Sequence, residues 1–136
     1  MDKTLLLIKP DGVEKRVVGK IISMVEENKF YIKDIKMKKW SREEAEGFYY
    51  IHKGKPFFER LINFMTSGPV IGLLLEKENA VNDLRKLVGK TNPKEAEPGT
   101  IRALFGTNVT VNTVHASDSE ESAAFEINYF FNEQES

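Results

Sequence analysis

The 136-residue sequence contains no cysteine, which excludes disulfides, thiolate metal sites and cysteine nucleophiles and is typical of a reducing compartment. Neither sign of charge dominates, since 20 Lys and Arg stand against 21 Asp and Glu, and no overall positive field attracts nucleic acid or an anionic membrane. The apolar run near the N-terminus, Leu5 to Ile8, is too short for a signal peptide or a membrane span. We therefore expect a cytoplasmic protein with no stable nucleic-acid partner and no membrane partner.

The common phosphate-binding and metal-binding motifs are also missing. Gly12 and Gly19-Lys20 have the wrong spacing for a Walker A loop, and no Gly-x-Gly-x-x-Gly segment occurs. His-Glu-x-x-His is absent, and the two histidines, His52 and His115, are 63 positions apart. The sequence therefore predicts no metal ion held by protein ligands.

What is present is the composition of a globular protein. Hydrophobic residues make up 40% of the chain and charged residues 30%, which suits a core that buries most of the unfolded surface. The length is that of one ordinary domain, so we expect a single domain over residues 1–136.

Hydrophobic periodicity and breakers predict the order β, α, β, α, α, β, α, loop, β, α. The expected strands cover 4–8, 31–39, 70–75 and 111–115. The expected helices begin near 18, 42, 56, 80 and 118, and the segment 89–112 is expected to be a working loop. Because strict β-α alternation is missing, this order favours an α+β sandwich with helices on an antiparallel or mixed sheet.

Two local patterns make sharper predictions. Ser41 with Glu44 and Ser117 with Glu120 each match a capping box that opens a helix. In the strand over 31–39, alternation places Tyr31, Ile35 and Met37 on one face and Ile32, Asp34, Lys36 and Lys38 on the other, with Lys33 out of step. This pattern predicts a sheet with one face in water.

His115 is the residue whose surroundings suggest chemistry. It lies just before the helix expected to start at Ser117 or Asp118, so free backbone N–H groups would lie beside its ring. A neutral imidazole there could accept a phosphoryl group as a nucleophile. From spacing alone, a purely structural histidine is the favoured interpretation.

Six segments resemble the nucleoside diphosphate kinase family in the same order along the chain. The most specific is Asn112-Thr113-Val114-His115-Ala116-Ser117-Asp118, which is similar to the family's active-site signature. The others are 8–13, 55–58, 67–70, 89–93 and 98–102. The resemblance spans Lys3 to Phe131 and implies a ferredoxin-like βαββαβ sandwich, an antiparallel sheet covered by helices. Ala116 stands where many members have glycine.

The resemblance implies that the protein transfers the γ-phosphoryl group of a nucleoside triphosphate to a nucleoside diphosphate, by a ping-pong mechanism through a phosphohistidine at His115. It also assigns site residues. The nucleotide-binding residues would be Lys9, Phe57, Arg85, Thr91, Arg102 and Asn112. The residues that line the cleft or orient the histidine would be Tyr49, Leu61, Val109, Ser117 and Glu126.

The same resemblance implies Mg²⁺ carried mainly by the nucleotide phosphates, and a homo-tetramer or homo-hexamer. A rival interpretation is a noncatalytic ferredoxin-like module that binds single-stranded RNA, although its aromatic signature is missing and the chain is not basic. A family member retained for regulation is a third possibility. Trp40 is assigned to packing and His52 to the surface, without a role.

Overall fold

The computed structural model describes residues 1–131 as a four-stranded antiparallel sheet with helices on both faces. The strands are β1 (Asp2–Ile8), β2 (Tyr31–Lys38), β3 (Val70–Lys77) and β4 (Val114–Ala116). The helices are α1 (Pro10–Glu14), α2 (Val18–Glu27), α3 (Arg42–Phe48), α4 (Phe58–Met65), α5 (Ala80–Val88), α6 (Ile101–Phe105) and α7 (Glu120–Phe131). Short 3₁₀ turns cover Tyr50–His52 and Pro93–Glu95.

The strand order β2-β3-β1-β4, antiparallel throughout, confirms the predicted ferredoxin-like arrangement. The two central strands are apolar along most of their length because both of their faces are covered. On β1, Leu6 and Ile8 pack toward α2 and α5, whereas Leu5 and Leu7 pack toward α3, α4 and α7. No helix in the described part of the chain is long and apolar enough to cross a bilayer.

The edge strand β2 differs from its predicted faces because a bulge interrupts its pairing with β3. Ile32 pairs with Leu75 and Ile35 with Leu73, so the extra residue is Lys33. The bulge changes the alternation and places Ile32 on the same face as Ile35, while Tyr31 turns to the other face. The apolar Ile35 is then exposed, and the predicted grouping of Tyr31 with Ile35 and of Ile32 with the lysines is wrong.

The lysines of β2 instead cover the end of α7. The ammonium of Lys38 lies 4.3 Å from the centroid of the Phe130 ring, and that of Lys36 lies 5.9 Å from the centroid of Phe131. Long lysine stems can cover apolar surface while their charged ends stay near water. This explains how two lysines come to lie half-buried on the inner side of an edge strand.

Several boundaries also differ from the sequence expectation. The Ser41–Glu44 capping box is confirmed, with both hydrogen bonds formed. The second box is displaced by two residues: Ser119 caps α7 and exchanges hydrogen bonds with Ser122, and α7 begins at Glu120. Within α7, Ala123 is buried and Ala124 is exposed.

The segment 89–112 is not a structureless loop, because it contains α6, which is capped by the side chain of Thr100. A short helix that the sequence analysis did not predict, α1, follows β1, and Pro10 occupies its first turn. Gly89 ends α5 with φ of 91°, and a Cβ there would come within 2.5 Å of Thr100 Oγ1. The last strand starts at Val114 rather than at 111.

Candidate active site

One cleft of about 470 Å³ gathers eleven of the twelve residues singled out from the sequence. Its walls come from the end of β1, the α3–α4 hairpin, α5, the segment 89–112, β4 and α7. The predicted residues that line it are Lys9, Tyr49, Phe57, Leu61, Arg85, Thr91, Arg102, Val109, Asn112, His115 and Glu126. The twelfth, Ser117, is fully buried behind Glu126.

His115 is held by a carboxylate that is itself held by a hydroxyl. Its Nε2 lies 2.9 Å from Glu126 Oε1, and Ser117 Oγ donates to the same oxygen at 2.6 Å. A neutral imidazole that donates from Nε2 carries its lone pair on Nδ1. Nδ1 makes no hydrogen bond to any residue between 1 and 131, so this nitrogen is left available as a nucleophile.

Two aromatic rings limit how the imidazole can turn. The ring centroid of His115 lies 5.3 Å from that of Phe48 and 5.6 Å from that of Tyr49, both in edge-on geometry. Burial and the nearby charge of Glu126 raise the pKa of Tyr49, so its hydroxyl stays protonated. The Tyr49 hydroxyl is buried and has no hydrogen-bond partner among the described residues.

The expected helix terminus does not lie where the sequence placed it. His115 is the middle residue of β4, and α7 begins five positions later. The backbone N–H groups of Asp118 and Ser119 donate to Ser122 Oγ, which leaves these donors occupied. The positively charged groups that line the cleft with His115 are the side chains of Lys9, Arg60, Arg85 and Arg102.

Lys9 supplies part of that field from a buried position. Its Nζ donates to Asn112 Oδ1 at 2.8 Å, and Asn112 Nδ2 donates to the carbonyls of Thr91 and Val109. Lys9 is only 6% exposed, and burial, followed by repulsion from Arg102, lowers its pKa to about 7. A nearby anion would reverse both effects.

Arg102 is the second cation that the protein does not neutralise. Its Nη1 donates to the Gly89 carbonyl at 3.0 Å and its Nη2 to the Val114 carbonyl at 2.9 Å. Its buried Nε has no described partner. Burial, and then the charge of Arg85, lowers the pKa of Arg102 to about 10. Because buried polar groups are normally hydrogen-bonded, the open Nε and the mutual repulsion point to an anionic ligand.

The other end of the cleft is apolar. Phe57 is 36% exposed and Val109 51% exposed, although both are large hydrophobic side chains. Leu61, one turn along α4 from Phe57, lies buried at the base of this end. Phe57 is the residue that precedes α4, so it is not part of the buried stripe of that helix. Exposed apolar surface inside a cleft suits a flat aromatic ligand.

Sequence reasoning missed several residues of this cleft, among them His52 and Arg60. His52, assigned to the surface, lines the wall with its ring centroid 5.3 Å from that of Phe57, and its Nδ1 is buried without a described partner. Arg60 lies on the cleft face of α4. The spacing of Arg60 from Phe57 was the available signal, since residues three apart share a helix face.

An imidazole oriented by a carboxylate and placed among cations suits a phosphotransferase that works through a phosphohistidine. The sequence and structural comparisons agree. The chain belongs to the nucleoside diphosphate kinase family, because that family's model matches residues 2–136. It is therefore a kinase that transfers phosphoryl groups between nucleotides, and the noncatalytic RNA-binding interpretation is wrong.

Individual relatives match along nearly their whole length. The nucleoside diphosphate kinase of Geobacter sp. (strain M21) is 55% identical over 135 residues, which cover 99% of this chain and 98% of that protein. That of Chlamydia trachomatis serovar D is 53% identical over 131 residues, covering 96% and 93%. The crystal structure of the Aquifex aeolicus enzyme superposes with a TM-score of 0.95 at 44% identity, covering 98% of this chain and 97% of that one.

Proposed function

We propose that His115 Nδ1 carries the phosphoryl group between two nucleotides. In the first half-reaction Nδ1 attacks the γ-phosphorus, a nitrogen–phosphorus bond forms, and the bond to the bridging oxygen breaks as the nucleoside diphosphate leaves. In the second, the terminal oxygen of another diphosphate attacks the same phosphorus and returns His115 to its free form. The contact between His115 Nε2 and Glu126 is the observation that carries this proposal.

Three residues orient the nucleophile. Glu126 fixes the proton on Nε2 and offsets the positive charge that the ring gains when Nδ1 is phosphorylated. Ser117 holds Glu126 in place. The ring of Tyr49 limits rotation of the imidazole, and its free hydroxyl is available to a phosphate oxygen.

The cationic end binds the phosphates. Lys9 and Asn112 contact the sugar hydroxyls and phosphate oxygens, while Arg85, Thr91 and Arg102 hold the phosphate chain. Guanidinium groups suit this task because they donate several hydrogen bonds in a fixed plane. Alignment and charge neutralisation supply most of the catalysis of phosphoryl transfer.

The apolar end binds the base between Phe57 and Val109, with Leu61 beneath. Stacking accepts any base, because every base offers a π face. We expect specificity constants for the four common diphosphates within about two orders of magnitude, since apolar contacts discriminate by only about 1 to 3 kcal/mol. Strict selection of one base would contradict this assignment.

Mg²⁺ fits this site as a companion of the nucleotide. No group of three or more His, Asp or Glu side chains between residues 1 and 131 is placed to hold a metal ion. Lys9, Arg85 and Arg102 line the cleft with His115 and suit phosphates, and the one carboxylate in contact with His115, that of Glu126, is engaged by Nε2 and by Ser117. When bound, Mg²⁺ neutralises charge on those phosphates and keeps most of its water.

A homo-oligomer, a tetramer or a hexamer, is the assembly we propose. Strand β2 forms one edge of the sheet, and its Ile35 and Met37 are 47% and 61% exposed. An open edge with apolar side chains favours pairing with another chain. Sedimentation that shows a monomer at micromolar concentration would contradict this. A cytoplasmic location, predicted from the sequence, remains part of the proposal.

The decisive experiment incubates the protein with ATP and Mg²⁺, removes the nucleotide and locates the bound phosphoryl group. We expect it on His115, labile in acid and stable in alkali. His115→Ala should bind nucleotide but retain less than about a thousandth of the exchange, because loss of a nucleophile costs several orders of magnitude.

His52→Ala is the matched control, since the chain has only two histidines and both line the cleft. It should keep the acid-labile label. A label that persists in His115→Ala and disappears in His52→Ala would overturn the assignment.

A further inference from the structure

Arg60 spans the apolar end of the cleft. It follows Phe57 by three positions and directly precedes Leu61, and all three side chains line the cleft. From α4 its Nε donates to Thr110 Oγ1 at 3.3 Å, in the segment that carries Val109. Arg60 therefore connects the two walls between which a base would insert.

The rest of the Arg60 guanidinium is available to a ligand. Its Nη1 and Nη2 make no hydrogen bond or ion pair within residues 1–131. Because Nε is already anchored, these two donors are held as a fork at the outer end of the group. A fork of two parallel donors matches a pair of adjacent acceptors.

The phosphate chain does not need this cation. Lys9, Arg85 and Arg102 already line the cleft with His115; the charge of Arg102 lowers the pKa of Lys9, and the charge of Arg85 lowers the pKa of Arg102. Arg60 contributes to neither of those shifts. It also lines a smaller hollow behind Val109 with Asn108 and Val111, away from His115. Its place in the cleft is beside the base.

We propose that Arg60 is a specificity-determining residue that recognises the acceptor edge of a 6-oxopurine. Guanine and hypoxanthine present O6 and N7 as neighbouring acceptors, which an arginine fork can bind together. Adenine carries an amino group in place of O6, and this hydrogen-bond donor cannot accept a hydrogen bond from the guanidinium. The proposal rests on the proposed function, in which Phe57 and Val109 enclose the base.

The test compares kcat/KM for GDP, IDP and ADP as phosphoryl acceptors in wild type, Arg60→Ala and Arg60→Lys. In wild type, kcat/KM for GDP and IDP should exceed kcat/KM for ADP by about fivefold to tenfold. This is the lower part of the range for a bidentate contact, because the side chain of Arg60 is exposed to solvent. Both variants should bring that ratio close to one. Dissociation constants of the same diphosphates, from calorimetry, should change in parallel.

Arg60→Lys is the critical control because it keeps the charge and removes the fork. If Arg60→Ala lowers kcat/KM for all three diphosphates equally and Arg60→Lys restores the wild-type values, the residue acts as a general cation and the proposal is wrong. A wild-type preference that survives in Arg60→Ala, or that separates GDP from IDP, would also overturn it.

Failure of the proposed function would look different. In that case wild type would pass no phosphoryl group from His115 to any diphosphate, whatever its base. Failure of the Arg60 proposal leaves exchange intact and alters only the comparison among bases.

Discussion

Nucleotide binding should draw a proton onto Lys9. The structure buries its ammonium beside Arg102 and lowers its pKa to about 7, so at pH 8 the free enzyme carries mostly the neutral amine. A phosphate chain beside Lys9 favours the charged form and returns the pKa toward the ordinary value near 10.4. Binding then requires a proton from solution.

The expected uptake follows from these values. At pH 8 a group with a pKa of about 7 is roughly one-tenth protonated, so recharging it takes up about 0.9 proton per nucleotide. At pH 7 the uptake should fall to about half a proton. Arg102 contributes little, because a pKa of about 10 leaves it charged at both values.

Calorimetry of ADP binding in two buffers with different ionisation enthalpies measures this uptake directly. Lys9→Met is the matched variant, since it keeps a long buried side chain without a titrating group. It should bind more weakly and take up almost no proton at pH 8. Uptake below about 0.2 in wild type, or equal uptake in Lys9→Met, would refute the reasoning.

The same residue should also affect folding stability without nucleotide. The folded pKa of Lys9 lies below the unfolded one, so the unfolded chain binds more protons between pH 7 and about 10.4. Stability therefore rises with pH through that window. Below pH 7 the full penalty is about 5 kcal/mol, since each pKa unit corresponds to about 1.4 kcal/mol. The gain in urea midpoint from Lys9→Met should shrink between pH 7 and pH 10.

Three further predictions concern other parts of the molecule. Glu126→Gln should lower kcat by about ten- to a thousandfold with little change in nucleotide affinity, because it removes the charge behind His115; an unchanged kcat would contradict this. Gly72→Ala should cost about 1 to 3 kcal/mol in urea unfolding, since its Cβ would meet the Phe130 ring; undiminished stability would contradict it. Ile35→Glu should dissociate the oligomer in sedimentation without loss of helix signal, and an intact oligomer would show that another surface assembles it.

Helices and strands could be predicted from the sequence where they were long enough to show a periodic spacing of hydrophobic residues. α2, α5 and the central strands meet that condition. α1 and α6 do not, because each has five residues and offers barely one turn of pattern. The only sign of the β2 bulge in the sequence is Lys33, which breaks the alternation. Which side chains then lie on each face of the strand depends on the pairing of β2 with β3.

The start of α7 was misplaced for a different reason. Ser117, Ser119 and Ser122 all offer hydroxyls near the helix start, so several caps compete in the sequence. Tertiary structure decides among them: the hydroxyl of Ser117 is used by Glu126, and Ser119 caps instead. The capping-box pattern covers only four residues. It therefore gives no information about a hydrogen-bond partner such as Glu126, which lies further along the helix.

The site depends on contacts that no local pattern contains. Lys9 and Asn112 are 103 positions apart and meet because β1 and β4 pair with Ile8 opposite Val114. The same register places His115 opposite Leu7, on the face that packs against α7. A slip of one residue would turn the imidazole to the other face and away from Glu126. The register of three residue pairs therefore sets both the phosphate-binding lysine and the orientation of the nucleophile, and the family resemblance located them because it carries that register implicitly.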